Sequence, residues 1–162
     1  MFPDDARGLR RLIALLRITL GVILLATWFD NLTKGVYSGG GIEGLFDYIF
    51  NENGGGPAFY RSLIDSTILQ APAAFGAFQL VAEFALGAGL LLGLFTPLAG
   101  LGAALFFANL FLAYLGGQEW IWTYVLLTVT AVVVALARSG RVWGVDGWLL
   151  ARRGGPRWPF VR

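Results

Sequence analysis

Glu83 and Gln79 lie one helical turn apart near the middle of an apolar run of membrane length, AFGAFQLVAEFALGAGLLLGLF, over residues 74–95. An ionisable side chain at such depth is costly, so it normally faces protein or a water-filled cavity, where it can hold a ligand or move a proton. Gly76, Gln79, Glu83, Gly87 and Leu90 recur at helical spacing, which gathers the polar atoms and two glycines on one stripe. Phe75, Phe78, Val81, Ala85 and Leu92 form the opposite stripe, fit for lipid or packing. The chemistry belongs on the Glu83 stripe.

Other side chains could join it. With a rise of about 1.5 Å per residue, Glu83 sits about 20 Å from the Thr96 end of its helix, and Asn109 about 18 Å from the same side of the next. Antiparallel neighbours would bring the two to one level. Asn109 then either joins helices by hydrogen bonding or lines a polar pocket with Glu83. Arg17 falls about 9 Å into the first apolar run, where it either snorkels back to the headgroups or reaches the pocket. Helical side chains lean toward their own N-terminus, so Arg17 and Glu83 lean apart and a direct ion pair between them is disfavoured. Asp30, Asn31 and Lys34 share one helix end, which reads as solvated, with a substrate contact as the alternative.

The elements that must position these residues follow from composition. Of 162 residues, 57% are hydrophobic and 14% charged, and the apolar residues come in blocks rather than alternation. That pattern specifies helices in lipid, not a barrel. The chain has no cysteine and no histidine. Disulfides, dithiol redox chemistry, histidine acid–base catalysis and histidine-ligated zinc or haem are therefore excluded for this sequence. No metal site and no nucleic-acid motif is expected.

Four spans are read, over residues 12–29, 74–95, 98–115 and 120–137. The basic start and first apolar run resemble a signal peptide, but Arg17 and the ending Trp28-Phe29-Asp30 argue for an uncleaved helix. Residues 35–73 form a long external loop, with Gly39–Gly41 and Gly54–Gly56 read as flexible breaks. Between the breaks Ile42, Leu45, Phe46, Ile49 and Phe50 share one face of an amphipathic helix. A second helix follows Pro57, with Tyr60, Leu63, Ile64, Thr67 and Ile68 on its apolar face. Residues 138–162 form a basic tail in which Asp146 is placed to cap a short helix over residues 147–153. Gly89 and Gly93, like Gly100, Ala104 and Ala108, mark close helix packing.

Ten of the twelve basic residues lie before residue 18 or after residue 137. By the positive-inside rule both termini face the cytoplasm and the long loop faces outward, in the bacterial-type inner membrane. Trp28, Trp120, Trp122 and the five tyrosines mark the outer interface; Trp143, Trp148 and Trp158 mark the inner one.

Three segments then carry a resemblance: LLRITLGVILLATWFDNLTK, GLLLGLFTPLAGLGAALFFANLFLA and EWIWTYVLLTVTAVVVALARSGRVWGVDGWL. In that order, and with Arg17, Gly21, Glu83, the Gly93-Leu94-Phe95-Thr96 turn and Gly140-Arg141 through Asp146, the chain resembles the DoxX/DoxD family of small four-helix membrane proteins. The external loop is similar to the DoxD branch in particular. The resemblance implies a single-domain, all-α membrane bundle and a role like that of the membrane subunit of thiosulfate:quinone oxidoreductase. It also implies Glu83 and Arg17 near a quinone or partner site, and usually a DoxA partner. Two departures stand out: no DoxA-like portion is present, and Pro97 follows the turn where many relatives have a basic residue.

The expected function is thus a quinone-linked oxidoreductase subunit, with Glu83 as the catalytic proton acceptor or hydrogen-bonding group. Gln79 and Asn109 orient a quinone, and Arg17, Asp30 and Lys34 are further binding candidates. No covalently held cofactor is expected; the partners are the bilayer and a second subunit or another copy. The alternatives are a non-enzymatic anchor docking a larger complex and a small transporter component.

Overall fold

The computed structural model describes residues 3–152, with side chains from Ala6 onward. Among these residues all regular structure is helical. Helices α1 (Pro3–Thr33), α4 (Pro72–Leu92) and α5 (Thr96–Tyr114) are long and apolar enough to cross a membrane, and α6 (Trp122–Leu136) is apolar but shorter. The 21 residues of α4 rise about 32 Å, close to the roughly 30 Å of a bilayer's hydrocarbon core. This is a membrane protein. The remaining helices are α2 (Gly39–Asp47), α3 (Ala58–Ser66) and α7 (Val145–Arg152). Arg153, Arg157, Trp158 and Arg162 of the expected basic tail lie outside the described residues.

The four apolar helices close a ring in which α1 packs on α4, α4 on α5, α5 on α6, and α6 back on α1. Between helices in lipid, association depends on close packing rather than on water exclusion. Small residues supply that closeness here. A Cβ on Gly21 would fall 2.6 Å from the Leu91 backbone nitrogen, and one on Gly100 would fall 2.9 Å from the Ala135 Cβ. Leu20, Leu24, Leu90, Ala103, Phe107 and Val134 fill the space between.

One end of the ring is tied by two buried charges. Helix α4 stops because Gly93 adopts the left-handed region (φ +66°). Leu94 N–H then reaches Gly89 O at 2.9 Å and Gly93 N–H reaches Leu90 O at 3.2 Å, the double bond of a Schellman cap. Arg17 reaches across from α1 and donates to Leu90 O (2.6 Å), Leu91 O (3.2 Å), Val142 O (3.3 Å) and Trp143 O (3.0 Å). A cation at a helix C-terminus also meets the negative end of the dipole. Arg17 is 0% exposed, so it does not snorkel to the interface.

Asp146 performs the complementary task. Its carboxylate accepts from Phe95 N–H (2.8 Å) and Thr96 N–H (2.9 Å), so it caps the N-terminus of α5. The expected cap on its own helix is replaced by this one; Asp146 lies inside the first turn of α7, which starts at Val145. Its backbone N–H also donates to Gly93 O at 2.9 Å. Phe95 (φ +47°) and Trp143 (φ +52°) occupy the left-handed region that bulky residues avoid. Each is bound at its backbone by Asp146 or Arg17. The tail is thereby fastened to the α4–α5 turn.

At the other end the long connection folds back over the bundle. Ser38 caps α2 by accepting from Gly41 N–H at 3.0 Å. Gly39–Gly41, expected as a flexible break, is the first turn of that helix. Close approach explains the last of the three: a Cβ on Gly41 would lie 2.7 Å from Val36 O, whereas one on Gly40 would meet nothing. Helix α2 continues into a π-helical turn, Tyr48–Glu52, and the chain breaks at Gly54 and Gly56, both at positive φ. Pro57 caps α3 rather than opening it. Ile42, Phe46, Ile49, Phe50, Tyr60 and Ile64 then form a second core with Ala113 of α5.

Candidate functional site

Helices α4 and α5 are joined by a tight turn and touch near it, where a Cβ on Gly89 would meet the Ala99 Cβ at 3.3 Å. Farther from the turn they separate. A cavity of about 520 Å³ fills the wedge, lined by Phe75, Phe78, Gln79, Ala82, Glu83, Ala85 and Leu86 of α4. From α5 come Gly102, Leu105, Phe106, Asn109, Leu110 and Ala113. Leu45, Phe46, Ile49, Tyr60 and Ile68 from the folded-back connection close the wide end. The volume falls in the range of small-molecule pockets, as does the mix of apolar walls with a few polar groups. Phe78 and Leu105, each 66% exposed, flank its mouth between the helices, on the surface that faces lipid.

The polar groups are fixed by their partners. Tyr60 of α3 donates to Asn109 Oδ1 at 3.1 Å. With its oxygen so engaged, the Asn109 amide has its two N–H donors left for a ligand. Gln79 is half-buried on the α4 wall. Glu83 is 1% exposed, so its carboxyl lies behind the wall surface. Tyr37, from the segment between α1 and α2, donates to Glu83 Oε2 at 2.8 Å. The other carboxyl oxygen is buried without a hydrogen bond of good geometry. The Gln79 and Asn31 amides are close enough to act on the carboxyl. Burial is the main cause that pushes both the Tyr37 and the Tyr60 phenols above their ordinary pKa, so both remain donors at neutral pH.

The structure therefore brings Gln79, Glu83 and Asn109 to one cavity and leaves three other candidates outside it. Arg17 belongs to the α4–α5 turn, where four backbone carbonyls occupy its guanidinium, and it makes no contact with Glu83. Asp30 and Lys34 pair with each other at 2.6 Å on the exposed end of α1. Such exposed pairs contribute little to stability. Asn31, their neighbour in sequence, is the residue of that trio that turns toward Glu83.

Three participants escaped the sequence reading in this role: Tyr37, Tyr60 and Asn31. Tyr37 is buried in a segment that reads as polar loop, and nothing local marks it. Tyr60 did carry a signal, being on the apolar face of a short amphipathic helix with a hydroxyl that burial obliges to find a partner. Among the described residues no group of three or more acidic, cysteine or histidine side chains could hold a metal. Compared with family models, curated proteins and solved structures, the chain matches none of them.

Proposed function

We propose that this protein binds a lipid-soluble molecule with a polar ring head, of the quinone type, in the α4–α5 cavity, as the membrane subunit of an oxidoreductase. The observation that carries the reading is the cavity itself: apolar walls, a lipid-facing mouth, and amide donors at Gln79 and Asn109 on facing helices. A ring carrying two carbonyls accepts one hydrogen bond at each end, which two separated amides are suited to give. Phe75, Phe78 and Phe106 supply faces for the ring.

Reduction of a quinone to a quinol takes up two electrons and two protons. Glu83 lines that cavity and relays both protons in turn, accepting each from the aqueous phase and passing it to the reduced quinone before it is protonated again. Without cysteine or histidine, the chain has no thiol or imidazole relay for the electrons. They come from a reductant oxidised on a partner subunit, thiosulfate being the one that the DoxD resemblance implies. In this reading α6 completes a four-span bundle in the cytoplasmic membrane with both termini inside, an orientation that the arginine distribution supports.

A purely anchoring role loses its best candidate surface, because the Gly100 face that would dock a partner is already packed on Ala135 of α6. The test is the affinity of the purified chain for a short-tailed quinone, against the double variant Gln79→Leu/Asn109→Leu. Two lost hydrogen bonds at about 0.5–1.5 kcal/mol each predict a loss of roughly 5-fold to 150-fold. Equal affinity in the two proteins would remove the reading.

A further inference from the structure

We infer that Glu83 exchanges its proton with water on one side of the bundle only, the side of the folded-back connection, and that the Tyr37 hydroxyl carries it. Polar and apolar groups are distributed unequally about the carboxyl. Toward the α4–α5 turn, α4 continues from Phe84 to Leu92 with apolar residues and glycines alone, about 13 Å along the helix axis. Helix α1 seals that stretch, with Leu24 and Leu25 against Gly87 and with Gly21 against Leu91. Leu20, Leu24 and Leu90 are buried in the same core. These side chains offer a proton no hydrogen-bonding atom.

Toward the connection the neighbours are polar. Tyr37, Gln79 and Asn31 all act on the carboxyl from that side. Tyr37 O–H donates to Glu83 Oε2 at 2.8 Å, and a second acceptor, Trp28 O, lies 3.5 Å from the same hydroxyl. One proton thus has two acceptors between which the O–H can turn. Asn31 also acts on the Tyr37 oxygen, and it is half-buried beside the exposed Asp30–Lys34 pair. Gly76 of α4 makes room for this tyrosine, because a Cβ there would strike Tyr37 O. In the step itself, a proton from water bonds to the Tyr37 oxygen while the phenol's own O–H bond breaks and its proton passes to Glu83 Oε2. The phenol stays neutral, the carboxylate becomes the acid, and no electron moves. Tyr37 acts through Glu83 and is a positioning residue. Use of the proton to reduce a quinone rests on the function proposed above; the exchange does not.

Infrared spectroscopy of the full chain without quinone tests this. The protonated Glu83 carboxyl has a C=O stretch that is assigned by its loss in Glu83→Gln and that shifts when the proton is replaced by deuterium. In nanodiscs moved from water to heavy water, Tyr37→Phe is expected to slow that shift by about 100-fold or more, as for loss of a positioned proton-transfer group. Tyr124→Phe removes a hydroxyl from α6, away from Glu83, and is expected to exchange as the unaltered chain does. In proteoliposomes of uniform orientation, the band should follow an acid pulse in an impermeant buffer on the connection side and ignore one on the opposite side. That second measurement uses the unaltered chain, so it carries the test should Tyr37→Phe fail to fold. A response to both sides or to the opposite side alone overturns the inference. So does an unchanged rate in Tyr37→Phe, equal slowing in Tyr124→Phe, or the lack of a Glu83 band at any pH. Two-sided exchange with quinone affinity retained removes this inference alone, whereas one-sided exchange without quinone affinity upholds it and removes the redox reading.

Discussion

Arg17→Ala is expected to lower the unfolding free energy by about 3–5 kcal/mol, because it takes charged donors from buried backbone carbonyls, each costing about 1–3 kcal/mol when left unpaired. The substitution strips donors from four backbone carbonyls, two at the C-terminus of α4 and two in the 142–143 turn. It also removes a positive charge that acts through space on the buried Asp146 carboxylate. Arg17→Lys should recover only part of the loss, because an ammonium on a single stem cannot span both pairs of carbonyls as the guanidinium does. Unfolding in mixed detergent, followed by tryptophan fluorescence, gives the measurement. A change below about 1 kcal/mol for Arg17→Ala would place this arginine among weak surface interactions instead. Its folded fraction should still bind a quinone normally, since Arg17 stands outside the cavity.

What the sequence reveals about the site is clearest on α5. On α4, Gly76, Glu83, Gly87 and Leu90 are buried and Val81 and Leu92 exposed, as their spacing suggests, but Gly87 packs on Leu24 and Leu25 of α1, and Phe75, Phe78 and Ala85 of the opposite stripe line the cavity beside Gln79 and Glu83. On α5, Gly102, Phe106, Asn109 and Ala113, which share a face by spacing, all reach the cavity. Periodicity records these because each stripe belongs to one helix and repeats with its turns. The capping charges were less legible. Asp146 sits where a local cap is expected, but the N–H groups it binds are those of Phe95 and Thr96, which folding brings from another helix. Arg17 reads as a residue that either snorkels or reaches the pocket, because depth alone cannot reveal that the carbonyl end of α4 lies beside it. Gly39–Gly41 misled for a similar reason: local conformational freedom suggested a break, whereas the three open a helix and Gly41 is selected by its close approach to Val36.

Filling the cavity should have the largest effect on ligand binding. Ala82 lines the wedge and is half-buried on α4, so Ala82→Phe introduces a ring into the space assigned to the ligand. Affinity for a short-tailed quinone is expected to fall by about 100-fold, or roughly 2.7 kcal/mol. Stability should change by less than about 1 kcal/mol, because the new side chain enters a void and not an already filled core. The two readouts together separate occlusion from misfolding. Retained affinity in a stably folded Ala82→Phe protein would show that the ligand sits elsewhere.

The most direct measurement is where a photoreactive quinone attaches. Irradiation of the full chain in anionic-lipid nanodiscs with an azido-quinone, followed by peptide mass spectrometry, should place adducts on residues 75–86 of α4 and 102–113 of α5. An excess of unlabelled quinone should suppress them. Labelling spread over the lipid-facing surface, or competed labelling confined to α1 and α6, would contradict a ligand held in the α4–α5 wedge.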